Sequence, residues 1–303
     1  MPSLADEVRA FLSAHHLRLN TDLGQHFLLD ESILDRIVEV ARIEPTDTIV
    51  EIGPGIGILT RKLLEKTQNV IAVELDNRLI PLLTEFTRQT LSPQVDPSSP
   101  LRTGDLHSDK KKLPTTNYQL PTSSLTIIQG NALDTPMPST PYKVVANIPY
   151  HITSPLLRHL FLESAVFPRS LTLLIQREVA EKICSPNDAG MLTILVALFG
   201  TPKVMARVPP ASFLPPPKVD SAVLHIDCFA APLADARLIE RIFKLTKIGF
   251  SQKRKMLRNT LGAFSWGMEL LSAASIAPER RAQTLSIQEW ISLAHTLPDD
   301  AGA

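Results

Sequence analysis

Two short stretches of this sequence combine residue types that can hold a nucleoside and an amino group. Residues 51–57 read EIGPGIG, so three glycines alternate with other residues directly after a β-branched run. A strand, a glycine turn and a helix in succession bring the backbone close to a ligand and point its N–H groups at it. Residues 147–150 read NIPY, which is an amide, a proline turn and an aromatic ring. Together they predict a site for a nucleoside-containing ligand.

The glycine turn has a spacing that argues against a pyrophosphate ligand. Its G-x-G-x-G pattern differs from the G-x-G-x-x-G of dinucleotide-binding folds. A second apolar run ends at Glu74, whose carboxylate can accept hydrogen bonds from a ribose diol at the end of the neighbouring strand. S-adenosylmethionine (SAM) is therefore the first candidate cofactor and NAD the second. The alternative is that the glycines only tighten a turn between a strand and a helix.

The NIPY stretch has the groups needed to hold the exocyclic amine of a base. The side-chain oxygen of Asn147 can accept a hydrogen bond from such an amine, and the rigid turn at Pro149 exposes the Ile148 carbonyl as a second acceptor. Tyr150 can stack on the base. These groups would aim the amine at an electrophilic methyl, with a mostly positional gain in rate. The alternative is a plain Asn-Ile-Pro turn followed by a core tyrosine.

Strands and helices alternate around these stretches. This alternation predicts an α/β fold with a mostly parallel sheet and helices on both faces. The expected strands span about residues 48–52, 69–74, 125–129, 143–146, 171–176 and 222–226, the last of them at the sheet edge. The C-terminal part reads as wholly helical, with expected helices at residues 235–248, 251–261, 268–274 and 287–296. We therefore predict a catalytic domain over residues 1–229 and a smaller helical domain over residues 230–303.

Residues 88–124 do not fit the alternation. The segment contains several prolines, three consecutive lysines at 110–112 and almost no apolar periodicity. Structureless loops longer than about 12–15 residues are uncommon inside compact domains. We interpret the segment as a mobile surface insertion, and its lysines as a solvated charge run rather than an RNA contact.

Composition narrows the possible partners. Lys+Arg and Asp+Glu both total 31, so the whole chain offers no charge argument for a polyanionic partner. From residue 201 onward there are 13 basic and 9 acidic residues, a modest positive tilt. Cys184 and Cys228 lack metal-ligand spacing and fit a reduced intracellular protein. With no signal peptide and no apolar run of about twenty residues, we expect a cytoplasmic monomer without a metal, a membrane contact or an obligate protein partner.

The ordered set of motifs resembles the SAM-dependent adenine-N6 methyltransferases and, more narrowly, the KsgA/RsmA family of ribosomal RNA adenine dimethylases. Four further stretches carry the resemblance: GQHFL at 24–28, QREVA at 176–180, SFLPPPKVDSAV at 212–223 and FSQKRKMLRNTL at 250–261. The likeness covers about residues 19–295 apart from the insertion. It implies a Rossmann-like class I SAM-dependent methyltransferase with a small C-terminal all-helical domain.

The resemblance implies roles for the matched positions. Cofactor binding is implied for His26, Leu28, Gly53, Gly55, Glu74, Asn131 and Asn147. Asn131 stands where the family usually carries an aspartate next to the cofactor's adenine, but an amide can also donate and accept hydrogen bonds. Asn147, Pro149 and Tyr150 match the target-base site and would act without a metal or a covalent enzyme intermediate.

The implied function is methyl transfer from SAM to the N6 atoms of two adjacent adenosines in the 3′-terminal hairpin of 16S rRNA, during small-subunit biogenesis. One rival is an Erm-type 23S rRNA adenine methyltransferase. Another is a ribosome-assembly factor whose methyl transfer is weak or lost. The glycine spacing disfavours an NAD-linked dehydrogenase, and the lack of a separate DNA-recognition module disfavours a DNA adenine methyltransferase.

The predicted helix over residues 251–261 carries the RNA-binding hypothesis. Its basic residues are Lys253, Arg254, Lys255 and Arg258. Arg254 and Arg258 would share one helical face at i, i+4. Such a stripe can neutralise phosphates and position a duplex without reading bases. The alternative is a solvated helical face. Trp266 and Trp290 are expected in the core of the helical domain.

Overall fold

A computed structural model describes most of the chain, as two compact units. The described residues are 3–21, 24–88, 102–104, 116–119, 125–185, 188–252 and 254–298. The first unit comprises Met1–Ala180 and Lys203–Asp227, and the second comprises Glu181–Pro202 and Cys228–Ala303. The domain boundary after residue 229 stays a prediction. The sequence did not indicate that Glu181–Pro202 would belong to the same unit as the C-terminal residues.

The helices and strands follow the predicted alternation closely in the first half of the chain. The strands are β1 (Phe27–Leu28), β2 (Ile49–Ile52), β3 (Val70–Glu74), β4 (Arg102–Gly104), β5 (Thr116–Gln119), β6 (Leu125–Gln129), β7 (Lys143–Asn147), β8 (Ser170–Gln176), β9 (Gly200–Val208), β10 (Phe213–Leu214) and β11 (Ser221–Cys228). The α-helices are α1 (Leu4–Ala14), α2 (Glu31–Ala41), α3 (Ile58–Leu64), α4 (Leu79–Arg88), α5 (Thr153–Arg158), α6 (Arg177–Ile183), α7 (Met191–Phe199), α8 (Ala236–Gly249), α9 (Gly267–Ala273) and α10 (Ile287–Thr296). Across the described helices, none combines the length and apolar character that a membrane crossing requires.

In the part of the chain that the structure describes, nine strands form one sheet in the order β4-β5-β6-β3-β2-β7-β8-β11-β9. Strands β6, β3, β2, β7 and β8 run parallel to one another. Strands β5 and β11 run antiparallel to their neighbours β6 and β8. The α/β class with a mostly parallel sheet is therefore confirmed. Ligands bind at the carboxyl ends of such strands where the strand order reverses, and here the order reverses at β2, which has β3 on one side and β7 on the other.

The expected edge position of β11 is wrong, because β9 lies outside it. The β9 sequence contains Pro202, Lys203 and Arg207, and only its two end residues are buried. Edge strands tolerate proline and charged residues that an interior strand does not. Because of this composition, β9 contains no apolar run that would have predicted a strand.

Strands β4 and β5 lie within the predicted insertion over residues 88–124. They pair antiparallel with each other, and β5 pairs antiparallel with β6, so they extend the sheet at that edge. These two strands were not predicted, because the segment has almost no apolar periodicity. The rest of the predicted insertion, residues 89–101, 105–115 and 120–124, lies outside the described residues.

The predicted helix over residues 251–261 is wrong. Helix α8 ends at Gly249, and short 3₁₀ turns follow at Leu257–Asn259 and Leu261–Ala263. The backbone N–H groups of the basic segment are used elsewhere: that of Leu257 donates to the Arg280 carbonyl at 2.7 Å, and that of Arg258 to the Pro278 carbonyl at 2.9 Å. Because an α-helix needs such donors for its own i−4 carbonyls, these two bonds hold the segment in a non-helical form.

The two tryptophans of the second unit differ in environment. Trp290 is fully buried, as expected for a core residue. The expectation of a core position is wrong for Trp266, which is only half-buried and stacks on the exposed ring of Phe264. Both rings belong to the turn before α9, whose buried residues are Gly267, Leu270 and Leu271. Helix α9 therefore packs through its leucines, and the aromatic pair lies outside that contact.

Gly57 offers a direct test of how the glycine turn is packed. It caps α3 at a φ of 97°, and a Cβ there would lie 2.6 Å from Leu83 Cδ1 and 2.8 Å from Thr87 Cγ2. We expect Gly57→Ala to lower the free energy of unfolding by about 2–4 kcal/mol, from left-handed backbone strain plus overpacking. Urea unfolding of the full chain measures this change.

Gly190→Ala is the matched control. Gly190 has a negative φ of −131°, and a Cβ there would meet only the flexible end of Lys182, at 3.2 Å. This variant should cost less than about 1 kcal/mol. A Gly57→Ala protein within about 0.5 kcal/mol of the wild type would contradict the packing described here.

Candidate active site

The carboxyl ends of β2, β3, β6 and β7 surround one cavity in the first unit. Its volume, counted out to the open mouth, is about 1020 Å³. All the residues predicted to bind a cofactor line it: His26, Leu28, Gly53, Gly55, Glu74, Asn131 and Asn147. Pro149 also lines it, and Tyr150 follows directly in a 3₁₀ turn. The structure thus brings the two predicted motifs together, while the roles of these residues stay predictions.

The glycine turn after β2 is held by its neighbours on both sides. Gly53 and Gly55 have φ values of 66° and 62°, a region that glycine adopts without strain. The Gly55 N–H donates to Glu74 Oε2 at 3.0 Å. A Cβ on Gly55 would lie 2.6 Å from the Phe27 ring. Position 55 therefore has no room for a larger residue, and the turn is tied directly to the end of β3.

Glu74 is a buried carboxylate fixed by backbone donors. In addition to the bond from Gly55, its Oε1 accepts from the Asp76 N–H at 2.8 Å. Each carboxylate oxygen keeps a second lone pair, so the group can accept two more hydrogen bonds from a diol. Burial raises the pKa of Glu74 to about 7, although the bonds from Asp76 and Gly55 oppose that rise. Its acceptor capacity therefore depends on pH near neutrality.

Glu51 is a second buried carboxyl of the cavity, which the sequence interpretation had quoted without giving it a role. It is 1% exposed and accepts a hydrogen bond from Thr60 Oγ1 at 2.7 Å. Burial raises the pKa of Glu51 from 4.5 to about 8, against the bond from Thr60 and with added repulsion from Glu74. The carboxyl therefore stabilises the fold below pH 4.5, and this stability is lost as the pH rises through about 8. The only indication of this buried carboxyl in the sequence was that β2 has one acidic residue among apolar ones.

The electrostatics of the cavity favour a cationic ligand. Glu51, Glu74 and Asp76 line it, whereas no lysine or arginine is among the described residues that do. The bond from Arg78 lowers the pKa of Asp76 to about 2, so this carboxylate is ionised. At neutral pH a pyrophosphate would meet ionised Asp76 and partly ionised Glu74, with no lysine or arginine among the described residues of the cavity wall. A sulfonium and an ammonium group are better matched to these carboxylates, which fits SAM better than NAD.

Residues 24–28, here called the strap, cross this site. Gln25 Nε2 donates to Asp76 Oδ2 at 2.9 Å, which ties the strap to the end of β3. The His26 Nδ1–H donates to the Pro215 carbonyl at 2.7 Å. Strands β1 and β10 pair with each other beside this bond. The strap therefore links the cofactor side of the site to residues 213–215, and Gln25 and Asp76 are positioning residues that the sequence interpretation missed.

Asn147 ends β7 and contacts the strap. Its Nδ2 donates to the His26 carbonyl at 3.0 Å. Because a carbonyl can only accept, the NH₂ end of the amide must face His26, and Oδ1 is left as the acceptor of this side chain. Pro149 packs close to Gly24, where an added Cβ would lie 2.9 Å from Pro149 Cβ. The strap thus fixes which end of the Asn147 amide is presented.

Tyr150 is anchored through its hydroxyl group. The hydroxyl lies 2.6 Å from Ser221 Oγ on β11. Burial raises the pKa of Tyr150, partly offset by the hydrogen bond with Ser221, so the phenol stays neutral near pH 7. Its ring is inclined by 14° to the His26 ring, with 6.4 Å between centroids. The arrangement suits a fixed stacking surface, and Ser221 is a positioning residue that had been quoted only as part of a motif.

Asn131 is held by its own turn. Its Oδ1 accepts from the Leu133 N–H at 3.1 Å, and its Nδ2 donates to Asp134 Oδ2 at 2.9 Å. An aspartate at position 131 would place two carboxylates against each other here. The amide therefore suits the neighbouring Asp134, and Oδ1 keeps a second lone pair for a donor in the cavity.

The predicted RNA-binding residues lie in the second unit. Arg254, Lys255 and Arg258 are exposed, and Arg258 forms an ion pair of 3.7 Å with Glu279. Since the predicted helix is absent, Arg254 and Arg258 do not share a helical face. Lys253 lies outside the described residues. The role of all four in RNA binding stays a prediction.

The sequence matches a known protein family over almost its whole length. The family model described as "Ribosomal RNA adenine dimethylase" matches residues 16–96 and 107–299. The "Ribosomal RNA small subunit methyltransferase A" of Dehalococcoides mccartyi is 38% identical over 299 residues, which cover 96% of this chain and 93% of that protein. The protein of the same name from Clostridium botulinum is 34% identical over 298 residues, covering 96% and 98%.

Two solved structures extend the comparison. A dimethyladenosine transferase from Plasmodium falciparum has 25% identity and a TM-score of 0.68, covering 87% of this chain and 94% of that chain. The 23S rRNA methyltransferase ErmE has 23% identity and a TM-score of 0.63, covering 89% and 99%. The second likeness shows the fold alone. Together they confirm the predicted Rossmann-like methyltransferase fold.

The pKa of Glu74 leads to a prediction about binding. A ribose diol donates to the ionised carboxylate, so affinity for an adenosine ligand should rise as the pH increases through about 7. We expect 5′-methylthioadenosine to bind about tenfold more tightly at pH 8 than at pH 6. This ligand keeps the ribose diol but has no amino acid group that would titrate in the same range. Isothermal titration of the cofactor-free protein measures the change.

Glu74→Gln should bind more weakly and show a flat pH profile, since its amide does not titrate. Glu51→Gln is the matched control and should keep the rise near pH 7. Binding by the wild type that is independent of pH, or that strengthens as the pH falls, would contradict the assigned role of Glu74.

Proposed function

This chain belongs to the ribosomal RNA adenine dimethylase family, and on that premise we propose that it methylates small-subunit rRNA. The reaction would transfer methyl groups from SAM to the N6 atoms of two adjacent adenosines in the 3′-terminal hairpin of 16S rRNA. The names of relatives at 34–38% identity support the small subunit as the substrate. The observation that carries the proposal is that the NIPY turn and the acidic cavity lie at the same end of the sheet.

Different cavity residues would bind different groups of SAM. SAM supplies a methyl group on a sulfonium, which an amine can attack in line; the N–C bond forms as the S–C bond breaks, S-adenosylhomocysteine leaves and the amine loses one proton. Ionised Glu74 would accept hydrogen bonds from the two ribose hydroxyls, and Asn131 Oδ1 would accept one from the adenine amine. Gly53 and Gly55 would let the backbone approach the ligand closely. His26 and Leu28 would border the ligand from the strap.

The NIPY turn would hold the target adenine. Asn147 Oδ1 and the Ile148 carbonyl would each accept one hydrogen bond from the N6 amine. Two acceptors favour a more pyramidal nitrogen, whose lone pair is less conjugated with the ring and points away from them. Tyr150, which burial keeps neutral and the bond to Ser221 holds in place, would stack on the base. Pro149 would keep the turn rigid, so the rate gain is mostly positional.

The second unit would supply sequence-independent contacts to the RNA. The exposed Arg254, Lys255 and Arg258 would neutralise phosphates, as would Lys253. Cations of this kind set the register of an RNA without reading its bases. A substrate in the immature small subunit would put the site of action in the cytoplasm.

The test of the proposed function is transfer of labelled methyl groups from SAM to three substrates: immature small subunits, large subunits and duplex DNA. We expect N6,N6-dimethyladenosine in small-subunit rRNA alone, identified after digestion to nucleosides. Label in large-subunit rRNA would assign the chain to the Erm-type activity instead. No label on any substrate, with binding to small subunits retained, would indicate an assembly factor.

Asn147→Ala tests the proposed role of the amide. Removing one acceptor at the reacting nitrogen should lower the turnover rate about 100- to 1000-fold. The variant also removes the bond from Asn147 to the His26 carbonyl, but Gln25 on Asp76 and the pairing of β1 with β10 still hold the strap. SAM affinity should therefore fall far less than turnover, because the ribose contacts at Glu74 are also untouched. Single-turnover methyl transfer and calorimetric SAM binding measure the two quantities.

Asn69→Ala is the matched control, since Asn69 is an exposed asparagine just before β3, at the opposite end of that strand. It should keep wild-type turnover and wild-type SAM affinity. Wild-type turnover in Asn147→Ala would show that the amide has no catalytic role.

A further inference from the structure

The second unit exposes a small aromatic surface that its core does not use. Phe264 is 45% exposed and Met268 is 48% exposed. The rings of Phe264 and Trp266 stack with centroids 5.0 Å apart and an interplanar angle of 19°. We call these three residues the aromatic patch. Since α9 packs through other residues, the patch is not explained by the stability of the unit.

The aromatic patch differs from the other exposed apolar side chains in the described part of the chain. Those others are Leu75, Met191, Val219 and Leu233. They occur singly along the chain, and Leu75 lines the cofactor cavity. Isolated exposed apolar residues are normal, but adjoining ones mark binding surfaces. Phe264 is the one aromatic ring among these exposed residues, and it adjoins a second ring, that of Trp266.

One basic side chain, Arg258, lies near Met268 of the aromatic patch. A Cβ on Gly262 would lie 2.8 Å from Met268 Sδ and 3.6 Å from Arg258 Cβ, so these two residues are neighbours. Arg254 and Lys255 are also exposed, and they precede the 3₁₀ turn that holds Arg258. Cations beside stacked rings form the surface that single-stranded nucleic acids require, because phosphates pair with the cations and unpaired bases stack on the rings.

We propose that Phe264 and Trp266 form a stacking platform for an unpaired base of the RNA. The neighbouring phosphates of that RNA would be held by Arg254, Lys255 and Arg258. The inference rests on the proposed function, since it takes rRNA as the ligand. Stacking accepts any base, so the platform would add affinity and orientation rather than select the target. The platform therefore adds base stacking to the proposed role of the basic residues, which accounts for phosphate contacts only.

The experiment measures equilibrium binding of the full chain to a protein-free transcript of the 16S rRNA 3′-terminal hairpin with its single-stranded flanks. We expect Phe264→Ala and Trp266→Ala each to weaken binding about tenfold. The slope of log K against log salt should not change, because neither variant removes a cation. Arg258→Ala should lower the magnitude of that slope by about one.

Two controls separate stacking from misfolding. Leu233→Ala truncates another exposed apolar side chain of the same unit, and it should bind like the wild type. Trp266→Phe keeps an aromatic ring and should stay within about threefold of the wild type. Fluorescence gives a second readout: the chain has two tryptophans, of which Trp290 is buried. RNA should therefore quench wild-type emission through Trp266, and Trp266→Phe should lose that quenching.

The other outcomes overturn the inference. Wild-type affinity in both alanine variants would show that the patch does not contact RNA. Weaker binding to whole small subunits, with normal binding to the protein-free transcript, would assign the patch to a ribosomal protein. Methyl transfer by the wild type reports on the proposed function separately. Normal variant binding alongside active wild-type enzyme rejects only the platform, and an inactive wild type rejects the proposed function.

Discussion

The arrangement of the site depends on one hydrogen bond, from Asn147 Nδ2 to the carbonyl of His26. This bond joins residues 121 positions apart. It settles which end of the amide faces the strap and leaves Oδ1 as an acceptor. The strap is in turn held by Gln25 on Asp76 and by the pairing of β1 with β10. An acceptor for an amine is therefore oriented by the same segment that borders the cofactor cavity.

Buried carboxyl groups set the chemistry of the other half of the site. Burial raises the pKa values of Glu51 and Glu74 to about 8 and about 7, so neither is fully ionised in the cofactor-free protein at neutral pH. A cation in the cavity would favour their ionised forms. The energetic cost of burying these carboxylates is thus consistent with the binding of a cationic cofactor.

Local signals predicted the parts of the site that depend on a single turn: the glycines after β2, Glu74 at the end of β3 and the NIPY turn. The motif order predicted the family, which the family match confirms. The rest depends on long-range backbone bonds. Nothing near residues 251–261 indicates that Leu257 and Arg258 donate to residues 278–280, and a helix was predicted there instead. Trp266 was expected in the core because it is a large apolar residue, but the neighbouring helix α9 packs through Leu270 and Leu271 instead.

The most direct test of this account is a crystal structure of the protein with S-adenosylhomocysteine and an adenosine bound in the target site. We expect the N6 atom within about 3.2 Å of both Asn147 Oδ1 and the Ile148 carbonyl oxygen. Asn147 Nδ2 should still donate to the His26 carbonyl. An N6 atom held by other groups, or an Asn147 amide that has left His26, would contradict the claim that the strap orients the acceptor.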